Sequence, residues 1–291
     1  MFILSQKIVD YCVLMKSETL TEKEKQLDQL VEAVLKSSKY RNVCEDLIKN
    51  IGLRELSKRK NLKIAIKSTK NKLHQIGGAY FLKKPNYGFW LEKLRRAKES
   101  ENEDLFRKTC MEIMSYHYST RERLNILDEF YAKIFSLIPP VQSIMDVACG
   151  FNPLSIPWMP ISEKVTYYAY DVYKDMISLL NEFMAINNVR GYAEARDVTQ
   201  HAPEINADLA FILNTIPCLE QIDKRAGLKI MESINANFLA VSFPAKTLGG
   251  RGREKNMLKH YKARFSELTR EKDWAIQRLE FKKELVFLIK K

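Results

Sequence analysis

Few residues of the kind that build irregular or cross-linked chains occur in this sequence. Ten glycines and nine prolines in 291 residues exclude a collagen-like or linker-dominated chain. The five cysteines, Cys12, Cys44, Cys110, Cys149 and Cys218, are odd in number, scattered and without a CxxC pair. Neither a disulfide framework nor a zinc site is expected from them, and a reducing cytoplasm is the natural setting. Each reads most simply as a small buried hydrophobe. The four histidines, His74, His117, His201 and His260, show no metal-ligand spacing, so no metal is expected. No apolar run approaches the roughly 20 residues of a membrane helix, and no membrane partner is expected. The apolar start, Met1 to Met15, carries Lys7 and Asp10 and lacks a small-residue cleavage site, which argues against a secretory signal.

What remains is globular: 46% hydrophobic and 29% charged residues, enough for one large domain or two ordinary ones. The charge is unevenly spread. Residues 1–110 hold 24 basic and 14 acidic side chains, residues 111–291 hold 24 and 22, and residues 36–84 alone hold 14 and 3. From charge alone, such asymmetry points to a polyanion partner, either nucleic acid or an anionic membrane surface, or to a plain basic, solvated surface.

Periodicity divides the chain in the same way. Leu27, Leu30, Val31, Val34 and Leu35 recur at helical spacing. Leu47, Ile48 and Ile51 form a second apolar face that ends at Gly52. Residues 62–76 read as a third helix, with Ile64, Ile66, Leu73 and Ile76 apolar and Gly77-Gly78 as its stop. One or two more helices fit 88–116, with Glu99–Asp104 as a loop between them, and another runs from Ser119-Thr120 to about 136. Beyond that, β-rich runs at 143–149, 164–171, 190–197, 207–213 and 237–243 alternate with helical stretches near 173–187, 222–235 and 255–270. Two strands within 273–289 close the chain. This is the pattern of a doubly wound, Rossmann-like α/β sheet behind an N-terminal helical domain, with the boundary near residue 110.

Chemistry concentrates at the strand ends. The first strand runs into Asp146-Val147-Ala148-Cys149-Gly150-Phe151-Asn152-Pro153, an acid and a glycine where a nucleotide crevice opens. Gly150 would let a ligand approach the backbone. A single glycine is not GxGxxG, so a dehydrogenase is disfavoured. Asp171 ends the second strand, placed for a ribose diol, and Asp197 the third, placed for an adenine amine. Three acids suit S-adenosylmethionine better than a phosphate-bearing cofactor, which would want donors and cations. The other reading of each is a turn-forming Asp. Arg123 offers a fork for a carboxylate or is a surface residue of an amphipathic helix.

These residues also carry a family resemblance. SSKYRNVC (37–44), KLHQIGGAYF (72–81), STRERL (119–124), MDVACGFNPL (145–154), ADLAFIL (207–213), AVSFPAKTLGGRG (240–252) and ELVFLIKK (284–291) resemble the Arm/Rmt family of aminoglycoside-resistance 16S ribosomal RNA methyltransferases, which methylate N7 of guanine 1405. Residues 1 to about 27 look like an extension to that family. The resemblance implies a helical N-terminal domain that docks on 16S rRNA in the assembled 30S subunit, a class I methyltransferase domain with a seven-stranded sheet, S-adenosylmethionine as cofactor, and a monomer. It implies that Arg123 contacts the methionine carboxylate, that Asp146, Ala148 and Gly150 line the methionine and ribose side, and that Asp171 holds the ribose hydroxyls. Asp197 and Val198 would flank the adenine, and Asn152 and Pro153 the crevice floor. Arg41, Arg59, Lys67, Lys70, Lys72 and His74 are expected rRNA contacts, with Arg251 and Tyr261; His74 is equally a structural histidine. Tyr261, Phe151 and Trp158 are each either a stacking partner for the target base or ordinary core.

Two departures from the family pattern stand out. In ILNTIP (212–217) Asn214 takes the place of a family lysine, with Pro217 after it, on the expected target-base side. In Met257-Leu258-Lys259-His260-Tyr261 the family's acidic residue and asparagine are missing. They leave two alternatives open: a relative that modifies another decoding-site nucleotide, and a non-catalytic ribosome-binding protein. A small-molecule methyltransferase would have no need of the basic helices.

Overall fold

A computed structural model describes residues 22–78, 80–82, 85–220, 223–244 and 254–291. The chain divides between Leu73 and His74 into two compact units. The apolar start, Arg251, and all of AKTLGGRG (245–252) lie outside the described residues.

The first unit is helical. Helix α1 spans 22–35, α2 Glu45–Lys58 and α3 Leu62–Leu73. Leu30, Val31 and Val34 of α1 are buried, as are Leu47, Ile48 and Ile51 of α2. Gly52 does not end α2. The helix runs six residues further, and a Cβ at Gly52 would lie 2.7 Å from Leu30 Cδ2. The glycine therefore permits close helix packing, not a stop. In α3 the buried stripe is Ala65, Thr69 and Leu73, spaced by four, whereas Ile64 is 50% exposed. Thr69 pays no penalty there because its hydroxyl donates to the Ala65 carbonyl at 2.9 Å.

The second unit begins with a π turn at His74–Gly78, which runs through the two glycines. Helices α4 (Tyr87–Glu99) and α5 (Glu103–Met114) follow, each started by an asparagine cap, Asn86 and Asn102. The helical stretch after them is broken into α6 (Tyr118–Arg123), a 3-10 turn (Leu124–Ile126) and α7 (Leu127–Phe135). Then come β1 (Ser143–Val147), a 3-10 segment (Asn152–Trp158), β2 (Thr166–Asp171), α8 (Lys174–Ile186), β3 (Arg190–Ala195) and β4 (Ala207–Leu213). The chain continues with α9 (Ile216–Leu219), α10 (Ala226–Ser233), β5 (Ala236–Pro244), α11 (Glu254–Thr269), β6 (Ala275–Glu280) and β7 (Glu284–Lys290).

The seven strands lie in the order β3-β2-β1-β4-β5-β7-β6, with β7 antiparallel to β5 and β6. The sequence division near residue 110 differs from the packing division at 73/74. The reason is that α4 and α5 bury their apolar faces in the α/β unit: Phe106 stacks on Phe183 at 6.1 Å, Arg95 pairs with Glu182 at 2.9 Å, and Trp90, Leu94 and Ile113 share one core with Phe151 and Leu180. Among the described residues no helix is long and apolar enough to cross a membrane.

Candidate functional site

The direction of strand addition reverses between β1 and β4, and a crevice opens outside the carboxyl ends at such a point. Two loops form its rim, 148–153 after β1 and 214–217 after β4. Both hold a non-glycine residue in the left-handed region, Ala148 at φ 51° and Asn214 at φ 56°. That conformation costs about 1–2 kcal/mol per residue, so the strain falls on both sides of the reversal.

A buried polar network fills the floor. Arg123, at the end of α6, is 1% exposed. Its Nε and Nη2 donate to the two Glu284 oxygens at 2.9 and 2.8 Å, and Nη1 donates to Asn152 Oδ1 at 2.7 Å. The guanidinium lies 4.6 Å over the Phe130 ring. Burial works against its charge, but the Glu284 carboxylate prevails and holds its pKa above the usual arginine value. Asn152 passes the network on: its Nδ2 donates to Asp146 Oδ2 at 2.9 Å, and its Oδ1 also accepts from the Tyr131 hydroxyl at 2.7 Å. The Tyr167 hydroxyl donates to the same Asp146 oxygen at 2.7 Å. Burial pushes the Asp146 carboxyl up to about 7 in spite of these two donors. Its Oδ1 is buried without a hydrogen-bond partner among the described residues, as is Asn214 Oδ1.

Asp171 braces the loop. It accepts from Gly150 N–H at 2.9 Å and from Val172 N–H at 2.7 Å, and burial raises its pKa. Gly150 sits at φ 53° with the His117 ring 2.9 Å from where a Cβ would stand. The expected ligand approach on that side is thus replaced by His117, whose Nδ1 is 3.0 Å from Ser119 Oγ. Burial, and then the charge of Arg123, lower the His117 pKa to about 4. Asp197 is not in β3, which ends at Ala195. Its Oδ1 accepts from the Thr199 N–H at 3.0 Å and hydroxyl at 2.6 Å, the geometry of a turn former, with Val198 buried beside it. Pro153 is buried in the 3-10 segment and Ala148 is half-buried.

On the β4 side, Asn214 N–H donates to Ser242 O and Oγ at 3.1 and 3.0 Å, and its Nδ2 lies 3.4 Å from Glu284 Oε1. The amide's donor end is therefore turned to Glu284. Pro217 is half-buried in α9. Next to it Cys218 Sγ is 2.7 Å from the Tyr80 hydroxyl, and Tyr80 stacks on His117 at 5.7 Å. Tyr261 is half-buried and stacks on Phe243 at 4.9 Å; burial, and then Cys218, push its pKa up to about 12. Phe151 is core, edge-on to Phe81, Trp90 and His117. Trp158 is half-buried with Arg107 over its ring.

The structure thus joins Arg123, Asp146, Asn152 and, through Glu284, Asn214 in one network. It does not bring Arg41, Arg59, Lys67, Lys70 or Lys72 into it. Those five belong to the first unit, where Arg41, Arg59 and Lys67 are exposed, Lys70 and Lys72 are half-buried, and Arg59 pairs with Glu55 at 3.4 Å. His74 is exposed at the start of the second unit. Sequence reasoning missed Glu284, Tyr131, Tyr167, Ser242 and His117. Only Glu284 left a trace, as an acid heading the apolar run LVFLI.

A model of the family described as "Ribosomal RNA methyltransferase (FmrO)" matches residues 36–288. The chain belongs to the FmrO family of ribosomal RNA methyltransferases. It is 33% identical over 275 residues to a 16S rRNA (guanine(1405)-N(7))-methyltransferase of Micromonospora echinospora, covering 94% of this chain and 100% of that protein. To the protein of that name from Serratia marcescens it is 29% identical, covering 91% and 98%. The solved 16S rRNA methyltransferase RmtF, in complex with S-adenosyl-L-homocysteine, superposes with a TM-score of 0.76 at 27% identity, covering 91% of this chain and 98% of that one. For the 16S rRNA methylase RmtB the TM-score is 0.73 at 26% identity, with the same coverage. As an FmrO-family enzyme the chain needs a methyl donor, and the crevice suits S-adenosylmethionine. Acidic side chains stand at the ends of β1 and β2, Asp146 keeps a buried oxygen, Oδ1, without a partner among the described residues, and Arg123 brings a cation to the network.

Proposed function

We propose that this FmrO-family protein transfers a methyl group from S-adenosylmethionine to N7 of guanine 1405 of 16S rRNA in the assembled 30S subunit. In a cell it would confer aminoglycoside resistance, acting as a cytoplasmic monomer. The observation that carries the reading is the buried network of Arg123, Asn152 and Asp146 beside the β1–β4 reversal, in a chain whose relatives carry that activity as their name.

When bound, the cofactor supplies a methyl group on a sulfonium, already a good electrophile. Guanine N7 carries an in-plane lone pair and needs no deprotonation, so the chain's task is alignment and exclusion of water. Arg123 would take the methionine carboxylate. Asp146, Ala148 and Gly150 would border the methionine and ribose, with Asn152 and Pro153 beneath them. Asp171 would take the ribose hydroxyls through lone pairs not used by the Gly150, Val172 and Tyr173 N–H groups, and Asp197 and Val198 would flank the adenine. Pro217 and Tyr261 stand on the side where the base would enter. Asn214 enters this scheme as an acceptor, because its amide donor is turned to Glu284; a donor role toward guanine does not fit.

Arg41, Arg59, Lys67, Lys70, Lys72 and His74 would supply phosphate attraction that is blind to sequence, with the fold of the subunit supplying placement; Arg251 is assigned to the same task on the resemblance alone. The test is mass mapping of 16S rRNA from 30S subunits incubated with the protein and labelled S-adenosylmethionine. One methyl group on guanine 1405 N7 is expected. A label on another nucleotide would favour the alternative target, and no label with intact subunit binding would favour a binder without catalysis.

A further inference from the structure

Glu284 is a buried acid at the head of β7, 3% exposed, and the residues after it up to Ile289 are all buried and apolar. It lies opposite Pro244 of β5. Four donors converge on it: Arg123 Nε and Nη2, Ser242 Oγ, and Asn214 Nδ2. They come from α6, β5 and the loop after β4, so one carboxylate ties together three segments that meet at the crevice.

We propose that Glu284 is a positioning residue that builds the receptor for the amino-acid end of the methyl donor. The proposal rests on the reading of S-adenosylmethionine as cofactor. A guanidinium has five N–H donors. Glu284 takes two side-on and Asn152 one, which fixes the plane of the fork and leaves one N–H on each terminal nitrogen outside those three bonds, next to the Tyr131 hydroxyl. On the same Glu284 oxygen hangs Asn214, whose amide nitrogen it holds. The other end of that amide, Oδ1, is buried without a partner among the described residues, in a residue that is 5% exposed and held at φ 56°. A guanidinium with its plane fixed on one arm and an unpartnered acceptor on the other complement a zwitterion: the cation would meet a carboxylate and the acceptor an ammonium. A merely structural ion pair would not leave a buried acceptor unsatisfied beside it, since that costs about 1–3 kcal/mol. Asn214 is thereby assigned to the methionine end of the cofactor, and not to the target base.

The test compares two ligands by titration calorimetry on the full-length protein: S-adenosylhomocysteine, which has the amino-acid end, and 5′-methylthioadenosine, which lacks it. Glu284→Gln is expected to weaken the first by about tenfold or more, the worth of one charge-assisted hydrogen bond, and to leave the second unchanged. Equal losses on both ligands, or no loss on either, would overturn the proposal. Asn214→Leu keeps the ion pair and covers the event that Glu284→Gln does not fold. It is expected to weaken S-adenosylhomocysteine selectively by a similar factor while the KM for 30S subunits holds. Unchanged cofactor affinity with a raised subunit KM would give the acceptor to guanine and overturn the assignment. Wild-type protein that binds neither ligand contradicts the cofactor reading itself, and the proposal falls with it.

Discussion

Residues 22–73 hold 14 Lys and Arg against 7 Asp and Glu, and residues 74–291 hold 32 against 27. None of the 14 in the first unit is buried. In the second unit the ion pair at the crevice floor is inside, Arg123 at 1% exposure and Glu284 at 3%. Exposed like charges attract a polyanion from a distance, are screened by salt, and tolerate replacement one at a time. Buried charges attract nothing from a distance. They act through fixed hydrogen bonds, and removing one partner leaves the other stranded. On the proposed function, the same side-chain types would serve as a field in one unit and as a fixture in the other.

The largest expected effect would break the second half of that comparison. Arg123→Ala strands Glu284 among its remaining donors and should cost about 3–5 kcal/mol of stability. Urea unfolding measures it; a loss below about 1 kcal/mol, typical of exposed pairs, would show that the buried pair is no fixture. Next comes the first unit. Replacing Arg41, Lys67 and Lys70 together by Ala should weaken 30S binding by about 10–100-fold near 0.1 M salt and flatten its salt dependence, with S-adenosylhomocysteine affinity untouched. A loss of cofactor affinity would erase the division of roles. Asp171→Ala is expected to weaken the cofactor by about 1–3 kcal/mol, read by calorimetry, with subunit binding unchanged.

The smallest effect is a pH slope. The Asp146 carboxyl is pushed up to about 7 from 3.8. Between those values the folded protein keeps a proton that the unfolded chain has lost, so this group's contribution to stability declines as pH rises through about 7. His117 runs the other way: lowered to about 4 from 6.5, it contributes stability that is lost as pH falls through that window. Asp146→Asn removes the first slope and keeps the second. The wild type should therefore lose stability relative to Asp146→Asn as pH goes from 4 to 7, measured by thermal unfolding. A constant difference would mean that Asp146 is ionised throughout.

The α/β alternation was legible because buried parallel strands read as short β-rich runs, and 207–213 matched β4 to the residue. The helix faces were legible where the buried stripe is aliphatic, as in α1, and not in α3, where Ala65 and Thr69 are inside and Ile64 is outside. The unit boundary was missed because composition follows charge, whereas the division follows where α4 and α5 bury their apolar faces. The place of Asp171 at the end of β2 was legible because the β-rich run stops there. Arg123 was readable only as half of an interaction. Its partner Glu284 lies 161 residues away, and nothing local to either residue says that they meet. Asp197 reads from the sequence as the end of the third strand; it lies just past β3 and its Oδ1 accepts from Thr199 in a turn of its own, a local role that any Asp after a strand can take beside another.

The division of roles is tested most directly by titrating the wild-type protein with 30S subunits and, separately, with S-adenosylhomocysteine between about 50 and 200 mM salt. Counterion release from an exposed field predicts that subunit affinity falls steeply over that range while cofactor affinity stays flat. A flat subunit curve, or a cofactor curve that falls in parallel with it, would contradict the separation of exposed field from buried fixture.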